Sequence, residues 1–480
     1  MREDIDSGTF IRDYLKALHS KNAAAFIGAG LSIPAGYLDW KGLLDDAIKD
    51  LRLDPDKEQD LVTVAQYYIN QTGSKTGLTQ RIVSEFKRYG SPQRSHLILA
   101  ELPLQVYWTT NYDQLIEQAL RQVKKTPDVK YNAKQLRVTS PDRDVTVYKM
   151  HGDVDLAEDA VISKDDYERY PRKMEAFVQA LSGDFIERTF LFLGLSFTDP
   201  NIDYILGRIR SGHTGDPRQH YCIMKRVAKE PGQAAGTLNY DELRQQYFIK
   251  DLKRFGILTV LVDTYPEITS LLEKVATQYK RTSVFISGAA HEYGAWTRDN
   301  ALQFTHDLSY ALATARNRII TGFGVEIGSA VINGTLAYLD NAGKTVTDED
   351  LVMRPFPQVI TGGIDRAAKW TAYRKAMLAY AGIAVFIFGN KLEGGTTVLS
   401  NGVDEEFTIS SAQGIKPIAV GATGFMAEEI WKKVQGDWDT YFPGASPAFK
   451  TDYAILGDKS KTPAELIQAV MRLVKELQKN

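Results

Sequence analysis

The chain has 480 residues, of which 44% are hydrophobic and 25% are charged, and its 58 basic residues nearly balance 60 acidic residues. This length predicts two or three domains, and the balanced charge argues against nucleic acid as a partner. Cys222 is the only cysteine, which excludes an intrachain disulfide and a cysteine-built zinc site, so we expect no metal.

The first half of the chain alternates helical and extended patterns. Residues 1–6 contain no apolar signal segment, and no stretch approaches the roughly 18 apolar residues that span a bilayer, so we expect a cytoplasmic protein with no membrane partner. Apolar residues at helical spacing over 9–20 precede a short apolar strand at 23–27 and a glycine turn. Residues 41–89 are mostly helical in pattern, which predicts a helical insertion at about 41–95. Short apolar runs then predict buried parallel strands at 104–108, 145–148, 190–195, 220–224 and 257–262.

The same kind of pattern starts again after residue 282. It predicts strands at 283–287, 318–322, 383–388 and 417–420. It predicts helices at 297–315, 326–339, 365–381 and 463–478. The fold class is therefore predicted as α/β, with two Rossmann-like parallel-sheet domains at 1–280 and 283–480. The boundary lacks a Pro/Gly linker, so we expect the domains to be packed together.

Polar or glycine-rich segments follow four predicted strands of the first domain. Their candidate binding residues are Gly28, Ala29, Gly30, Ser32, Asn111, Asp113, His151, Gly194 and Ser196. In open α/β sheets ligands bind beyond the carboxyl ends of the strands, and glycine lets the backbone approach a phosphate closely. A glycine turn alone also has structural roles, and a histidine can simply cap a strand end. The order of all four segments together predicts a nucleotide site.

This order, G-A-G-L-S, T-N-x-D, H-G and G-x-S, resembles the sirtuin-like NAD-binding family over residues 20–265. The resemblance implies that NAD is the ligand, that Asn111 lies beside the nicotinamide ribose, and that His151 acts as a base. It assigns dinucleotide binding to Gly28, Ala29, Gly30, Ser32, Asp113, Gly194 and Ser196. The other six histidines have no matching context.

The chain departs from protein-deacylating sirtuins at two points. It has no paired cysteines for their zinc module, and Ala35 to Trp40 replace the P-D-F-R stretch expected after the glycine turn. We therefore expect water as the acceptor and NAD hydrolysis to nicotinamide and ADP-ribose as the reaction. An NAD-dependent protein deacylase or ADP-ribosyl transferase, and a non-catalytic nucleotide-sensing scaffold, remain the alternatives.

The second domain has glycine turns of its own after predicted strands, at 287–290, 321–324 and 388–391. Arg374, Lys391 and the acidic run 404–406 add ionic groups, which suit the phosphates and the ribose of a nucleotide. No Asn-His or Ser-His-Asp combination occurs here, so we expect binding without chemistry. Ion pairs on a helix surface are the alternative explanation for Arg374 and Glu406.

These turns resemble the SLOG family of nucleotide-binding domains. A sirtuin-like NADase domain followed by a SLOG domain resembles the effectors of Thoeris anti-phage defence. The resemblance implies a homotetramer whose C-terminal domain binds a cyclic ADP-ribose isomer, made by a partner protein with a TIR domain, and thereby activates NAD depletion. It assigns activator binding to Gly288, Arg374, Lys391 and Glu406, with Glu405 as a neighbouring alternative.

Overall fold

The computed structural model divides into two compact units, Met1–Ala276 and Thr277–Asn480. It describes residues 3–87, 90–197, 199–212, 217–228, 239–357 and 365–479. Both units are α/β, as the sequence predicts, and each is built on a parallel sheet. None of the helices in these described ranges is long and apolar enough to cross a bilayer.

The first unit contains a parallel sheet with buried central strands. Its strands are β1 (Ala23–Ile27), β2 (Val106–Thr109), β3 (Pro127–Lys130), β4 (Val145–Lys149), β5 (Thr189–Leu193), β6 (His220–Lys225) and β7 (Ile257–Val262). In the described residues they pair in parallel in the order β3-β4-β2-β1-β5-β6-β7. Every residue of β1 and β5 is buried, as expected for continuous apolar runs covered on both faces.

Helices surround this sheet, and several of them lie in the segment between β1 and β2. The helices are α1 (Ser7–His19), α2 (Trp40–Asp50), α3 (Leu61–Thr72), α4 (Thr76–Phe86), α5 (Arg94–Glu101), α6 (Leu115–Gln122), α7 (Lys164–Lys173), α8 (Glu175–Glu187), α9 (Pro200–Gly212), α10 (Tyr240–Lys253) and α11 (Tyr265–Arg281). Asp39 begins α2 by accepting from Gly42 N over 2.8 Å, and Asp60 begins α3 in the same way. Helices α2, α3 and α4 share a small apolar core.

The second unit repeats the architecture with a smaller sheet. Its strands are β8 (Ser283–Ala289), β9 (Arg318–Thr321), β10 (Leu351–Met353), β11 (Ile383–Phe388), β12 (Asn390–Glu393), β13 (Thr396–Leu399) and β14 (Lys416–Ala419). Its helices are α12 (Arg298–Thr314), α13 (Ile327–Asn341), α14 (Arg366–Leu378), α15 (Asn401–Ala412), α16 (Phe425–Gly436), α17 (Trp438–Tyr441), α18 (Pro447–Ile455) and α19 (Pro463–Leu477). The described strands pair in parallel as β10-β9-β8-β11-β14, and β12 and β13 form an antiparallel hairpin.

Strand register brings the segments after several strands to one edge of each sheet. In the first unit Ile27 pairs with both Thr109 and Leu193, and Thr109 also pairs with Lys149. The four polar segments predicted from the sequence therefore leave the sheet side by side. In the second unit Ala289 pairs with Phe388, so the glycine turns after β8 and β11 also leave the sheet together.

Candidate active site

The glycine turn after β1 packs against the turn after β5. Gly30 N donates to the Gly194 carbonyl oxygen over 3.0 Å. A Cβ atom on Gly28 would lie 2.4 Å from that same oxygen, and Gly194 has a φ of +65°. Ala29 begins the short 3-10 helix Ala29–Leu31 between these contacts. Packing alone therefore requires glycine at positions 28 and 194. The evidence for a ligand comes instead from the side chains beside the turn.

A hydroxyl joins the predicted residues that follow β1 and β2. Ser32 Oγ donates to Asp113 Oδ2 over 2.7 Å and accepts from Asn111 Nδ2 over 3.1 Å. All three side chains are buried. Among the described residues, Asn111 Oδ1 has no hydrogen-bond partner. The network therefore fixes one end of the Asn111 amide and leaves the acceptor at the other end available to a ligand.

Lys149, the last residue of β4, links the loop after β2 to the loop after β4. Its Nζ donates to the carbonyl oxygen of Asp113 over 2.5 Å, and it lies 2.5 Å from Asp153 Oδ2 and 3.1 Å from Glu117 Oε1. Burial opposes the charged form of Lys149, but the Glu117, Asp153 and Asp113 carboxylates together raise its pKa. Lys149 therefore stays charged and ties the two loops together.

His151 lies in the loop after β4 and is buried beside a carboxylate. Its Nε2 lies 3.3 Å from Asp199 Oδ2, which also accepts a hydrogen bond from the Tyr167 hydroxyl over 3.0 Å. The rings of Tyr167 and Tyr170 pack edge-on to the imidazole at 5.5 and 6.4 Å. Burial lowers the pKa of His151, and the charge of Asp199 partly opposes this effect. His151 is therefore neutral at pH 7 and able to accept a proton.

Several buried polar groups near this sheet edge have no hydrogen-bond partner within the described ranges. His151 Nε2 is one of them: it lies 3.3 Å from Asp199 Oδ2 but makes no hydrogen bond to it. Others are Trp40 Nε1, Asn111 Oδ1, Glu117 Oε1, Tyr170 Oη and Asn201 Nδ2. Native proteins pair nearly all of their buried polar groups. Unpaired donors and acceptors near the carboxyl ends of the strands, where the glycine turn also lies, indicate a ligand site.

Some residues of this site were not singled out by the sequence analysis. Asp199 lies only three residues beyond Ser196, which is exposed just after Gly194, so the neighbouring motif could have indicated it. Tyr167 and Tyr170 lie on α7, away from every glycine turn. An aromatic pair on a helix is usually core, so no local pattern indicates their place beside His151.

In the second unit, Arg374 is buried against two adjacent carboxylates. Its Nη1 lies 2.6 Å from Glu405 Oε2, and its Nε lies 3.5 Å from Glu406 Oε1. Glu406 also accepts a hydrogen bond from Ser287 Oγ on β8 over 2.6 Å, and burial raises the pKa of Glu406. The expected ion pairs thus exist, but Arg374 and Glu406 are buried and Glu406 is tied to the sheet through Ser287, whereas Glu405 is half-buried.

The glycine turns of the second unit also meet at one edge. A Cβ atom on Gly324 would lie 1.9 Å from the carbonyl oxygen of Gly288, which directly follows Ser287. Gly288 is therefore placed beside the cluster of Arg374, Glu405 and Glu406. Lys391 lies on the hairpin strand β12, and its Nζ lies 2.9 Å from Glu393 Oε2 on the same strand. Its place in a common site with Arg374 stays a prediction.

No group of three or more His, Cys, Asp or Glu side chains in the described part of the chain is arranged to hold a metal ion.

Two family models match the sequence. Residues 105–252 match a SIR2-like domain, and residues 267–477 match the Sir2- and TIR-associating SLOG family.

Several relatives are similar to this chain over nearly its whole length. The NAD(+) hydrolase ThsA of Bacillus cereus is 44% identical over 469 residues, which cover 98% of each chain. The NAD(+) hydrolase ThsA of Cytobacillus dafuensis is 42% identical and covers 98% of this chain and 97% of its own. That of Acinetobacter baumannii is 42% identical and covers 96% and 97%. With a SIR2-like domain followed by a SLOG domain and such identity along its whole length, this chain belongs to the ThsA family of NAD(+) hydrolases.

Proposed function

We propose that the first unit hydrolyses NAD to nicotinamide and ADP-ribose, with Asn111 and His151 as the catalytic residues. One observation carries the proposal. Both side chains lie at the edge that holds the glycine turn, and each has a buried polar atom without a hydrogen-bond partner among the described residues. The relatives named NAD(+) hydrolase support NAD as the substrate.

The reaction breaks the bond between the nicotinamide nitrogen and C1 of its ribose. The bonding electron pair returns to the pyridinium ring, so nicotinamide leaves as a neutral molecule and needs no strong acid. Water then captures the oxocarbenium-like ribose and gives a proton to the neutral His151. Base assistance of this kind contributes about 100- to 10,000-fold to the rate. Asn111 Oδ1 accepts a hydrogen bond from the water or from a ribose hydroxyl.

The other residues of the edge bind the dinucleotide in this proposal. They are Gly28, Ala29, Gly30, Ser32, Asp113, Gly194 and Ser196, and the catalytic domain comprises residues 1–280. Trp40 ends the segment that departs from the deacylating sirtuins, and its ring stacks on Tyr167 at 6.0 Å, beside His151. The insertion thus occupies the surroundings of the base, which supports water over a peptide as the acceptor.

We further propose that the second domain, residues 283–480, is a sensor for a cyclic ADP-ribose isomer made by a TIR-domain partner. Gly288, Arg374, Lys391, Glu405 and Glu406 would bind this activator. Guanidinium and ammonium groups suit its phosphates, and carboxylates suit its ribose hydroxyls. The family description as TIR-associating supports such a partner. The activated protein, a cytoplasmic homotetramer, would deplete NAD as an anti-phage defence.

Product analysis tests the catalytic proposal. Purified protein is incubated with NAD and a cyclic ADP-ribose isomer, with and without an acyl-lysine peptide, and the products are identified by mass spectrometry. We expect nicotinamide and ADP-ribose in equal amounts. Acylated ADP-ribose or an ADP-ribosylated protein would indicate the transfer reactions instead.

Variants locate the reaction in the first unit. Asn111→Ala and His151→Ala should each abolish NAD hydrolysis without unfolding the protein. His306→Ala, on α12 of the second unit, is the matched control and should keep wild-type turnover. Wild-type turnover in either of the first two variants contradicts the catalytic assignment.

A further inference from the structure

Tyr170 has an unusual environment for a buried tyrosine. It lies on α7 with 1% of its surface exposed, and its hydroxyl has no hydrogen-bond partner in the described part of the chain. Other buried tyrosines donate to a defined acceptor. The hydroxyls of Tyr14, Tyr107 and Tyr112 donate to the carbonyl oxygens of Ala24, Leu99 and Val161 over 3.2, 2.6 and 2.7 Å.

The unpaired Tyr170 hydroxyl is unfavourable for folding. Moving a hydroxyl from water into a protein interior destabilises the folded state unless a new hydrogen bond replaces the lost ones. A phenylalanine would fill the same space without this cost. A tyrosine at this position is therefore best explained by a partner outside the protein chain.

The location of Tyr170 indicates what that partner is. Its ring packs edge-on to the His151 imidazole at 6.4 Å. A second unpaired buried donor, Trp40 Nε1, belongs to a ring that stacks on Tyr167, and Tyr167 also packs against His151. Two unpaired aromatic donors thus belong to the same group of side chains around the proposed base. Burial raises the pKa of Tyr170 well above its ordinary value, so its hydroxyl stays protonated and can donate.

We propose that Tyr170 is a substrate-binding residue whose hydroxyl hydrogen-bonds to the nicotinamide ribose of NAD. The proposal rests on the proposed function, because it places the ribose next to His151. It adds a residue outside the glycine turn and the strand ends to the site. Tyr170 binds the sugar and does not act as a base.

Removing the hydroxyl alone tests this proposal. Tyr170→Phe deletes one oxygen and keeps the ring, so the packing against His151 persists. We expect kcat/KM for NAD to fall about 5- to 30-fold, while the thermal unfolding midpoint of the free protein stays equal or rises. A residue with a structural hydrogen bond would show the opposite pattern.

Tyr14→Phe supplies that opposite pattern as a matched control. Tyr14 lies on α1, and its hydroxyl donates to the Ala24 carbonyl oxygen. Its loss should lower the unfolding midpoint and leave kcat/KM unchanged. Trp40→Phe removes the second unpaired donor and should also lower kcat/KM for NAD. Its smaller ring loses part of the packing on Tyr167, so its unfolding midpoint should fall, unlike that of Tyr170→Phe.

The outcomes separate this inference from the proposed function. NAD turnover is measured with and without a cyclic ADP-ribose isomer. If wild-type protein never hydrolyses NAD, the proposed function fails and the role of Tyr170 falls with it. If wild-type protein hydrolyses NAD and Tyr170→Phe retains its kcat/KM, or loses stability as Tyr14→Phe does, Tyr170 is not a substrate-binding residue.

Discussion

At the residue scale, His151 is subject to two opposing effects. Burial disfavours its protonated form, whereas the Asp199 carboxylate at 3.3 Å favours that form. Burial is the larger effect, so the pKa lies below the ordinary 6.5 and the imidazole remains a base under mildly acidic conditions. The rate of NAD hydrolysis should therefore decline only once the pH falls below that lowered pKa.

Asp199→Asn should change this profile in a defined direction. Removing the negative charge lowers the pKa of His151 further, so the acidic limb of kcat/KM moves to lower pH. The plateau should also fall, by up to about 100-fold, because the imidazole becomes a weaker base. Asp203→Asn, exposed in the first turn of α9, is the control and should change neither value. Rates are measured from about pH 4 to pH 8. An unshifted acidic limb contradicts the role of Asp199.

His220 gives a second pH dependence, in stability. Burial lowers its pKa to about 3, and its Nδ1 accepts from Phe190 N over 3.1 Å. The unfolded chain binds a proton below about pH 6.5 and the folded chain does not, so the free energy of unfolding falls as the pH decreases through this range. The loss is about 1.4 kcal/mol per pH unit.

Replacing His220 isolates this contribution. The His220→Gln variant cannot take up this proton, so its stability should fall less than that of the wild type between about pH 7.5 and pH 5, by about 2 kcal/mol. Urea unfolding at both pH values gives the difference. Equal losses in the two proteins would show that His220 titrates alike in the folded and unfolded states.

At the element scale, the turns after β1 and β5 pack too closely to admit a side chain at Gly28. Gly28→Ala would place a Cβ atom 2.4 Å from the Gly194 oxygen, and neither backbone can move without disturbing its strand. We expect loss of NAD hydrolysis and a lower unfolding midpoint. Gly183→Ala in α8 is the control, because nothing lies within 4 Å of its added Cβ atom. It should stabilise the protein by about 0.5–1 kcal/mol. Full activity in Gly28→Ala would contradict the importance of this contact.

Two variants test the proposed sensor, Arg374→Ala on α14 and Lys391→Ala on β12. They differ in how much each should also change the stability of the protein. Arg374→Ala leaves the buried Glu406 without its cation, which typically costs about 3–5 kcal/mol of stability. A loss of activation in that variant would therefore combine two causes. Lys391 pairs with the exposed Glu393, and a surface pair of this kind contributes only about 0–1 kcal/mol. Lys391→Ala is therefore the cleaner variant.

Lys391→Ala should weaken activator binding roughly 10- to 150-fold through loss of a charge-assisted phosphate contact. The activation curve should move to higher ligand concentration and reach the same plateau, because the catalytic residues are untouched. Calorimetry and titrated NAD turnover measure the two effects. Lys459→Ala, which removes a surface pair with Glu428, is the control. An unchanged midpoint in Lys391→Ala would place the activator elsewhere.

The sequence predicts the central strands of both sheets better than the outermost strands. Strands such as β1 and β11 are continuous apolar runs and are fully buried, so their signal is strong. The edge strands β3 and β10 were not predicted, because β3 is mostly half-buried and begins with proline and β10 has only three residues. The hairpin of β12 and β13 and the helices α15 to α18 were also missed.

In the candidate site, the sequence predicts the residues that directly follow strands but not those that tertiary packing brings in. Asn111 and His151 directly follow strands, so the rule for parallel sheets places them at one edge. The partners of His151 could not be predicted in this way. Tyr170 reaches it from a helix, and only the tertiary packing of α7 determines that contact. The pairing of Arg374 with Glu406 likewise depends on how α14 packs against α15.

At the scale of the whole molecule, chemistry and sensing are assigned to separate units of one chain. The division between the units falls after Ala276, within the residues of α11. An activator bound to the second unit can change NAD hydrolysis only if it binds the active and inactive states with different affinity. The coupling must then be reciprocal, so a dinucleotide that favours the active state would tighten activator binding.

The most direct test is NAD consumption by the full-length protein, titrated with a cyclic ADP-ribose isomer. We expect a saturable rise in NAD loss that yields nicotinamide and ADP-ribose. Asn111→Ala should bind the isomer as tightly as the wild type and consume no NAD. If wild-type protein leaves NAD intact at isomer concentrations that calorimetry shows to be saturating, the chain is not an activator-gated NAD hydrolase.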